Sequence, residues 1–564
     1  LQPTLRRLYG NSFLPAHDYG RGGRGWRDLW QDILALLLME SGDVSELLFG
    51  NFAGVRIDGS NATIIGSAPG EFKADRNNIP RVWMDHGAWP WLTTNLYLHQ
   101  TGDLAFLLRE QTYFKDHLIL RSKEVDPDWQ PAQGTQLRTA GQQPYSGSIL
   151  EHLLIQHLVP FFNVGEHNLI RLEGADWNDG LDMAADRGES VAFSALYAGN
   201  LQQLSDWVLA LQALGIEQVE LVAELEALLD SISVPVDYNA IESKRIRLQA
   251  YYDRCRHTIS GQKISVPIAD LVADLKAKAD WLADHIRQQE WIQNQAGYGW
   301  FNGYYDNDGQ QVEGDHPNGV RMTLTGQTFA LLGAVATQQQ AIDITKAADR
   351  YLLDPAVGGY RLNSEFGEVM LNLGRAFGFA YGHKENGAMF SHMAVMYANA
   401  LYQRGLVEAG QRVLQGLYQH CQDFATSRMY PGIPEYINTR GRGMYTWLTG
   451  SASWYVLTVV TEVFGVRGYR GDLLLDPKLV SKQFDQQGYA SLITLFAGRQ
   501  VEITYHNPER LDYSQYQVGA VAINGKEVAF SSQEGKARLA REVLDSQPQD
   551  AIMIRVDLRP LGKM

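Results

Sequence analysis

Residues 191–214 read VAFSALYAGNLQQLSDWVLALQAL, a long stretch in which apolar positions recur at helical spacing. The same spacing runs from residue 30 to about 465, in segments broken by Gly, Pro and Asn. It predicts helices over 29–40, 44–50, 91–101, 104–113, 148–161, 191–214 and 216–231, and then over 267–287, 324–337, 341–352, 387–404, 407–424 and 450–464. About a dozen helices joined by long loops point to a mainly α fold, an (α/α)6 toroid. In that fold an outer helical ring surrounds an inner one, and the loops at one end form the pocket. A superhelical repeat array is the alternative, but it would carry a fixed sequence period and none is found.

The pattern changes after Gly468. Short β-branched or aromatic runs at 473–476, 490–496, 501–505, 517–523, 528–530 and 551–556 predict strands, and Asn524-Gly525 predicts a hairpin turn. Two domains are expected, a helical barrel carrying the chemistry over 1–467 and a small β-sandwich-like domain over 468–564. The second has no dense cluster of His, Asp and Trp and reads as structural.

At 564 residues the chain exceeds the size at which one core stops growing, which fits this division. The net charge of −15 argues against a nucleic-acid or anionic-membrane partner, so any anionic substrate must be held by local arginines. Cys255 and Cys421, the two cysteines, fit a reducing, cytoplasmic compartment and exclude a disulfide framework or a multi-Cys metal site. No apolar run approaches the roughly 20 residues that span a bilayer, and no signal peptide is visible. The first residue is Leu1 and not Met, which suggests processing or a fragment.

Residues 173–182, EGADWNDGLD, set four carboxylates around Trp177. An indole face can cover the apolar face of a pyranose, and a carboxylic acid can protonate a glycosidic oxygen. The other reading is a solvated acidic turn. Residues 383–392, HKENGAMFSH, add cations and a carboxylate, Glu385, which suggests chemistry on a sugar together with an anion. A metal site there would call for histidines at i and i+4, a spacing that is missing. Residues 21–32, RGGRGWRDLWQD, put Arg21, Arg24 and Arg27 on a glycine-rich loop that runs into a helix, an arrangement suited to an anion. A solvated loop is the alternative, and Trp26 and Trp30 favour a pocket. Thr449-Gly450-Ser451 opens the last long helix, as an anion seat or as an ordinary N-cap. Residues 81–91, RVWMDHGAWPW, offer aromatic walls or plain core. Their Asp85-His86 pair lacks the Ser or Cys that acyl chemistry needs. Asn61-Ala62-Thr63 is a glycosylation sequon by pattern.

Together these segments resemble glycoside hydrolase family 94, the inverting disaccharide and oligosaccharide phosphorylases. Ala175 to Asp179, Lys384 to Gly387 with His392, and Thr449-Gly450 followed by Ala452 and Trp454 fall in the family's order. Within the family, WRDLWQD, GVRIDGSNATIIG, RVWMDHGAWPW, RLEGADWNDGLDMA and YPGIPEYINTRGRGMYTWLTGSASW look most like the 1,2-β-oligoglucan phosphorylases. The resemblance implies Asp179 as the general acid, Trp177 as a wall of the −1 sugar subsite, and Asp28 as a carboxylate bonded to the same sugar. It implies Lys384 and Glu385 as sugar contacts on the +1 side, and His392, Thr449 and Gly450 as phosphate binders. Arginines of the loop before Asp28 join them, Arg21 and Arg24 in the first place, with the choice among Arg21, Arg24 and Arg27 left open.

The implied activity is that of a glycosyltransferase-type phosphorylase. It would split β-linked gluco-oligosaccharides, β-1,2-glucan first among them, into α-glucose 1-phosphate and a shortened chain, reversibly and with inversion. Phosphate is then a substrate, no cofactor or metal is implied, and relatives pair as homodimers. Cellobiose, cellodextrin or chitobiose is the alternative substrate, and an inverting glucan hydrolase or a non-catalytic glucan-binding protein is the rival function. An inverting hydrolase needs a second carboxylate to activate water, whereas phosphate arrives already anionic. Proton donation near neutral pH calls for an Asp179 whose pKa is raised. Family proteins also carry a β-sandwich and a helical linker ahead of the toroid, and this sequence is expected to start just inside it.

Overall fold

The computed structural model describes residues 2–4, 24–39, 44–65, 71–73, 81–429, 432–445, 449–548 and 551–562. The principal helices are α1 (Trp26–Met39), α2 (Val44–Phe52), α3 (Ala88–Thr101), α4 (Ile149–Phe162), α5 (Val191–Ala210) and α6 (Ile241–Cys255). They continue with α7 (Ile268–Gln289), α8 (Leu324–Leu332), α9 (Gln338–Tyr351), α10 (Ser391–Gln403), α11 (Val407–Gln422) and α12 (Ser451–Leu457). Past Leu457 the last helix widens into a π-helical turn, Thr458–Val463.

Six of these helices touch in cyclic order: α1 packs on α3, α3 on α5, α5 on α8, α8 on α10, α10 on α12, and α12 returns to α1. The others lie against this cycle, with α7 along α5, α9 on α8 and α11 along α10. Composition explains the two layers. Every residue of α10 from Ser391 to Tyr402 is buried, whereas α11 buries one stripe of Val407, Val413, Leu414 and Leu417 and turns its polar side outward. Trp26, Trp30, Trp89, Trp91, Trp300 and Trp454 are all fully buried, so Trp26 and Trp30 belong to the core and not to a sugar pocket. Trp26 and Trp30 meet edge to face at 5.7 Å, a geometry favoured by the ring quadrupole.

Five of the six helices, α1, α3, α5, α8 and α10, have their first turns or preceding loops tied to a neighbour's by hydrogen bonds. Arg27 of α1 reaches Asp85 just before α3, and the Val191 N–H at the start of α5 donates to the Gly303 carbonyl. Gly303 N–H donates to Glu313, which also takes the Thr323 N–H at the cap of α8. The Leu324 N–H that follows donates to Leu362 O, and the Leu362 N–H donates to Ala388 O ahead of α10. No helix among the described residues is long and apolar enough to cross a membrane.

Three helical expectations are revised. Residues 104–113 form a short 3-10 turn, Leu104–Leu108, and then a strand, Glu110–Thr112. Residues 216–231 open with a strand, Gln218–Val222, paired with Lys263–Pro267, and only then turn through Ala223–Leu228. The helix expected over 324–337 stops at Leu332, where Gly333 comes too close to Ala195 O of α5 to admit a side chain. α6 was not expected at all.

From Val466 the chain is built of strands: β1 (Val466–Tyr469), β2 (Asp472–Leu475), β3 (Tyr489–Phe496), β4 (Arg499–His506), β5 (Tyr516–Ile523), β6 (Lys526–Glu527), β7 (Ser531–Gln533), β8 (Lys536–Leu539) and β9 (Ala551–Pro560). They form one sheet of order β1-β2-β8-β7 and another of order β3-β4-β9-β5-β6. β4 and β9 run parallel, and the other pairs run antiparallel. Along β9, Ile552, Ile554, Val556 and Leu558 alternate inward, the period of two that buries one face. Asn524 and Gly525 both take positive φ, 51° and 81°, as the expected two-residue hairpin requires. That hairpin pairs only Lys526–Glu527, so the strand expected over 528–530 is replaced by β6 before it and β7 after it.

Candidate active site

The four carboxylates of residues 173–182 meet four different environments. Glu173 is buried and takes a forked ion pair from Arg121, whose Nη2 lies 2.6 Å from Oε2. Asp176 is fully buried, accepting from the Asn178 N–H at 2.9 Å and from Ser190 Oγ at 3.0 Å. Asp182 is paired with Arg375. Asp179 keeps the most open face, with 41% of its side chain exposed against 20% for Asp182. The segment is therefore no solvated turn. It is pinned to the loop before α3 by Met84 N–H to Ala175 O and Gly174 N–H to Val82 O, each 2.9 Å.

Arg27 organises the cluster. Its Nη1 donates to Asp179 Oδ1 at 2.9 Å, its Nη2 to Asp85 Oδ1 at 2.9 Å and to Asp176 O at 2.8 Å, and its Nε to Asp85 Oδ2 at 2.5 Å. Asp85 has no exposed side chain and also accepts from Trp89 Nε1 at 2.6 Å. A buried carboxylate needs such a counter-ion. The Asp85-His86 pair of the sequence is not a dyad, since His86 Nδ1 instead meets Asn61 Nδ2 at 3.2 Å. Asn61 is itself buried, so the sequon is closed to a glycan.

Arg81 closes the same loop from outside. It donates to Gly174 O and, at 2.9 Å, to Asp179 O. The pKa of Asp179 answers to burial and to both arginines: burial pushes it up, but Arg27 and then Arg81 outweigh burial and hold it below the usual aspartate value. The raised pKa expected of a proton donor is thus not present in the free site. Burial, with the charge of Asp85, pushes Asp176 up to about 7, and burial likewise raises Glu385.

Trp177, two residues before Asp179, bridges to the second cluster. Its indole meets Phe390 edge to face at 5.2 Å and the His392 imidazole at 5.6 Å. His392, in the first turn of α10, lies flat against the backbone at the start of α12. A Cβ built on Gly450 would stand 2.8 Å from His392 Cε1 and 3.2 Å from each ring nitrogen. Gly450 has an ordinary helical φ of −65°, so close approach and not backbone strain calls for glycine here. Thr449 is buried, its Oγ1 2.8 Å from Ser451 Oγ and accepting from the Ser451 N–H at 3.2 Å. Trp454 Nε1 donates to Gln31 Oε1 at 2.8 Å and fastens α12 to α1.

The expected residues divide as follows. Trp177 and Gly450 both meet His392, Asp179 stands two residues beyond Trp177 and Thr449 directly before Gly450, with Asp28 partly exposed beside Arg27 in the first turn of α1. Lys384, in left-handed backbone at φ 50°, lies on the Tyr445 side, its Nζ 4.1 Å from that ring, next to a half-buried Glu385. Arg21 lies outside the described residues, and of Arg24 only the backbone is described, in the strand Arg24–Gly25. The sequence reading missed Arg81 and the anchoring role of Asp85, although both stand in the quoted segment 81–91. Among the described residues the one grouping with metal-ligand spacing is Asp126, Asp128 and His257. It includes none of His383, Glu385 and His392, and Asp126 is already bonded to Lys115.

Comparison with known proteins bears on this arrangement. Residues 269–465 match the glycosyl hydrolase 94 superfamily catalytic domain. That glycosyl hydrolase 94 match takes in Lys384, Glu385, His392, Thr449 and Gly450, and it begins after Asp179. Solabiose phosphorylase of Paenibacillus borealis is 21% identical over 90% of this chain and 54% of its own length. N,N'-diacetylchitobiose phosphorylase of Vibrio proteolyticus is 24% identical over 40% of this chain and 28% of its own. Cyclic beta-(1,2)-glucan synthase NdvB of Rhizobium meliloti (strain 1021) is 22% identical over 82% of this chain and 14% of its own. The chain spans about half the length of the first of these curated relatives and less of the other two.

Proposed function

We propose that the site carries out inverting phosphorolysis of β-linked gluco-oligosaccharides, with β-1,2-glucan as the first choice of substrate. The observation that carries this reading is that Trp177, two residues before the Arg27-bound Asp179, meets the His392 imidazole, whose ring in turn lies against Gly450. A sugar ring laid on Trp177 would then have a carboxyl group and an anion seat within reach of one anomeric centre. In the forward direction, a protonated Asp179 gives its proton to the glycosidic oxygen, a phosphate oxygen bonds to C1 from the opposite face, and the C1–O bond breaks. The products are α-glucose 1-phosphate and a glucan one unit shorter.

On this reading His392, Thr449 and Gly450 hold phosphate in line, Asp28 and Trp177 hold the −1 sugar, and Lys384 and Glu385 face the +1 side. Arg27 is the organiser of the acid and not a phosphate ligand, because both of its faces are occupied by Asp85 and Asp179. Phosphate binding supplies what the free site lacks, since a dianion close to Asp179 raises its pKa against the pull of Arg27. The cyclic packing of α1, α3, α5, α8, α10 and α12 supports an (α/α)6 toroid, with a domain division near residue 467. The β-1,2 linkage draws on the sequence resemblance and on the relative that makes a cyclic β-1,2-glucan.

The test is product analysis with β-1,2-linked glucan. Glucose 1-phosphate that accumulates only when inorganic phosphate is supplied bears the proposal out. Release of free glucose at the same rate with and without phosphate replaces it with a hydrolase.

A further inference from the structure

A cavity of about 960 Å³ lies at the other end of the helix cycle, between the later turns of α3, α5, α10 and α12 and the sheet β1-β2-β8-β7. His392 and Gln403 stand at opposite ends of α10, eleven residues or about 16 Å apart at helical rise. The cavity is thus separate from the cluster around Asp179. Its size falls at the upper end of the roughly 300–1,000 Å³ typical of small-molecule clefts.

Its lining is of three kinds. Amides come first. Gln203 Oε1 takes hydrogen bonds from Trp91 Nε1 and Asn95 Nδ2 at 3.0 and 3.2 Å, and Gln403 Nε2 donates to Asn399 Oδ1 at 2.8 Å. Both glutamines are exposed, and Gln203 Nε2 and Gln403 Oε1 carry no hydrogen bond among the described residues, so one donor and one acceptor face the cavity. Apolar surface comes second, from Leu92 and Leu96 on α3 and from Tyr469, which stacks on His99 at 6.0 Å and keeps 39% of its surface exposed. Charge comes third and is paired throughout: Arg467 with Glu462 and Asp476, Lys478 with Glu462, Lys536 with Asp476 and Glu534, and Arg538 with Asp472. Glu462 belongs to the π-helical turn Thr458–Val463, a geometry that recurs at functional sites.

We propose that this cavity is a second binding site for a neutral oligosaccharide, separate from the catalytic cluster. An ionic ligand would need an unbalanced charge on the wall, and here the buried charges are spent on one another. A purely apolar ligand would strand the amides. A sugar chain satisfies both surfaces, because its vicinal hydroxyls pair with amide donors and acceptors and its C–H faces pack on tyrosine and leucine. The site gives the protein a hold on glucan that does not depend on turnover.

The experiment is calorimetric titration of the full chain with β-1,2-linked and β-1,4-linked glucotetraose in phosphate-free buffer. Two binding events per chain are expected. Tyr469→Ala with Gln403→Ala, or Leu96→Trp to fill the space, should weaken one event at least tenfold and leave the other. Trp177→Ala should do the reverse. Hydrogen exchange on the wild-type chain, which is untouched by any folding defect of the variants, should slow over residues 457–469 and 531–538 when glucotetraose is added. Binding events that all ignore the cavity variants, whether one or two, or unchanged exchange over those residues would overturn the proposal, whereas a single event lost in the cavity variants would uphold it and count against binding at Trp177. Turnover is not a readout, so such a failure leaves the catalytic reading standing.

Discussion

Nη1 of Arg27 lies 2.9 Å from Oδ1 of Asp179, and the same guanidinium forks onto the fully buried Asp85. A charge-assisted bond of this kind stabilises the carboxylate over the acid. It also holds in place the most exposed carboxylate of residues 173–182. Asp179→Asn keeps the shape and an acceptor for Arg27 but cannot give up a proton. We expect the rate to fall at least about a thousandfold in both phosphorolysis and synthesis, with an unchanged melting transition. Near-normal turnover in either direction would remove Asp179 from the acid's role.

The pull of Arg27 and Arg81 has a signature in pH. In the free protein Asp179 is held below its usual value, so the protonated form is scarce at neutral pH. Once phosphate is bound, its negative charge favours the acid form. The alkaline limb of kcat, which reports the bound complex, should therefore lie at higher pH than the limb of kcat/KM, which reports the free enzyme. Rate profiles between pH 4 and 9 at saturating and limiting phosphate check this. Coincident limbs would mean that phosphate leaves Asp179 untouched.

How much of this was readable beforehand follows from range. α5 was legible because its apolar spacing is local, and the Asn524-Gly525 turn because positive φ is a property of two residues. α6 was not, since IESKRIRLQAYYDRC is mostly polar and buries only Lys244, Leu248, Tyr251, Tyr252 and Cys255. The strand Gln218–Val222 was read as helix because its partner, Lys263–Pro267, lies some forty residues on. The same limit governs the site. Asp179 and Trp177 stand in one quoted segment, but the choice of Arg27 depends on carboxylates 58 and 152 residues away, which no local pattern encodes.

Gly450 tests the anion seat without touching a side chain that bonds anything. Alanine suits its backbone, at φ −65° and ψ −14°, so the cost is that of overpacking against His392, about 1–3 kcal/mol. The new methyl would stand 2.8 Å from His392 Cε1, and the imidazole is flanked by the rings of Trp177 and Trp454 at 5.6 and 6.4 Å. The ring must turn. Gly450→Ala should raise the KM for phosphate at least about tenfold, with a melting temperature within a few degrees of wild type. An unchanged KM for phosphate would place the anion elsewhere.

Asp176 yields a prediction about stability. It is fully buried, and burial, followed by the charge of Asp85, raises it to about 7 in the fold, against about 3.9 in an unfolded chain. Between those values the folded state binds the extra proton. By linkage its contribution to stability is whole below about pH 4 and is lost as pH rises towards 7. Each tenfold difference in proton affinity is worth about 1.4 kcal/mol, a sizeable part of a marginal total of about 5–15 kcal/mol. Asp176→Asn abolishes this titration, and its carbonyl oxygen can still accept the Asn178 N–H. Relative to the wild type, the variant should therefore gain melting temperature steadily from pH 4 to pH 7, whatever offset the substitution introduces at pH 4. Melting curves of the two proteins that run parallel across that range would show that Asp176 is already ionised in the fold.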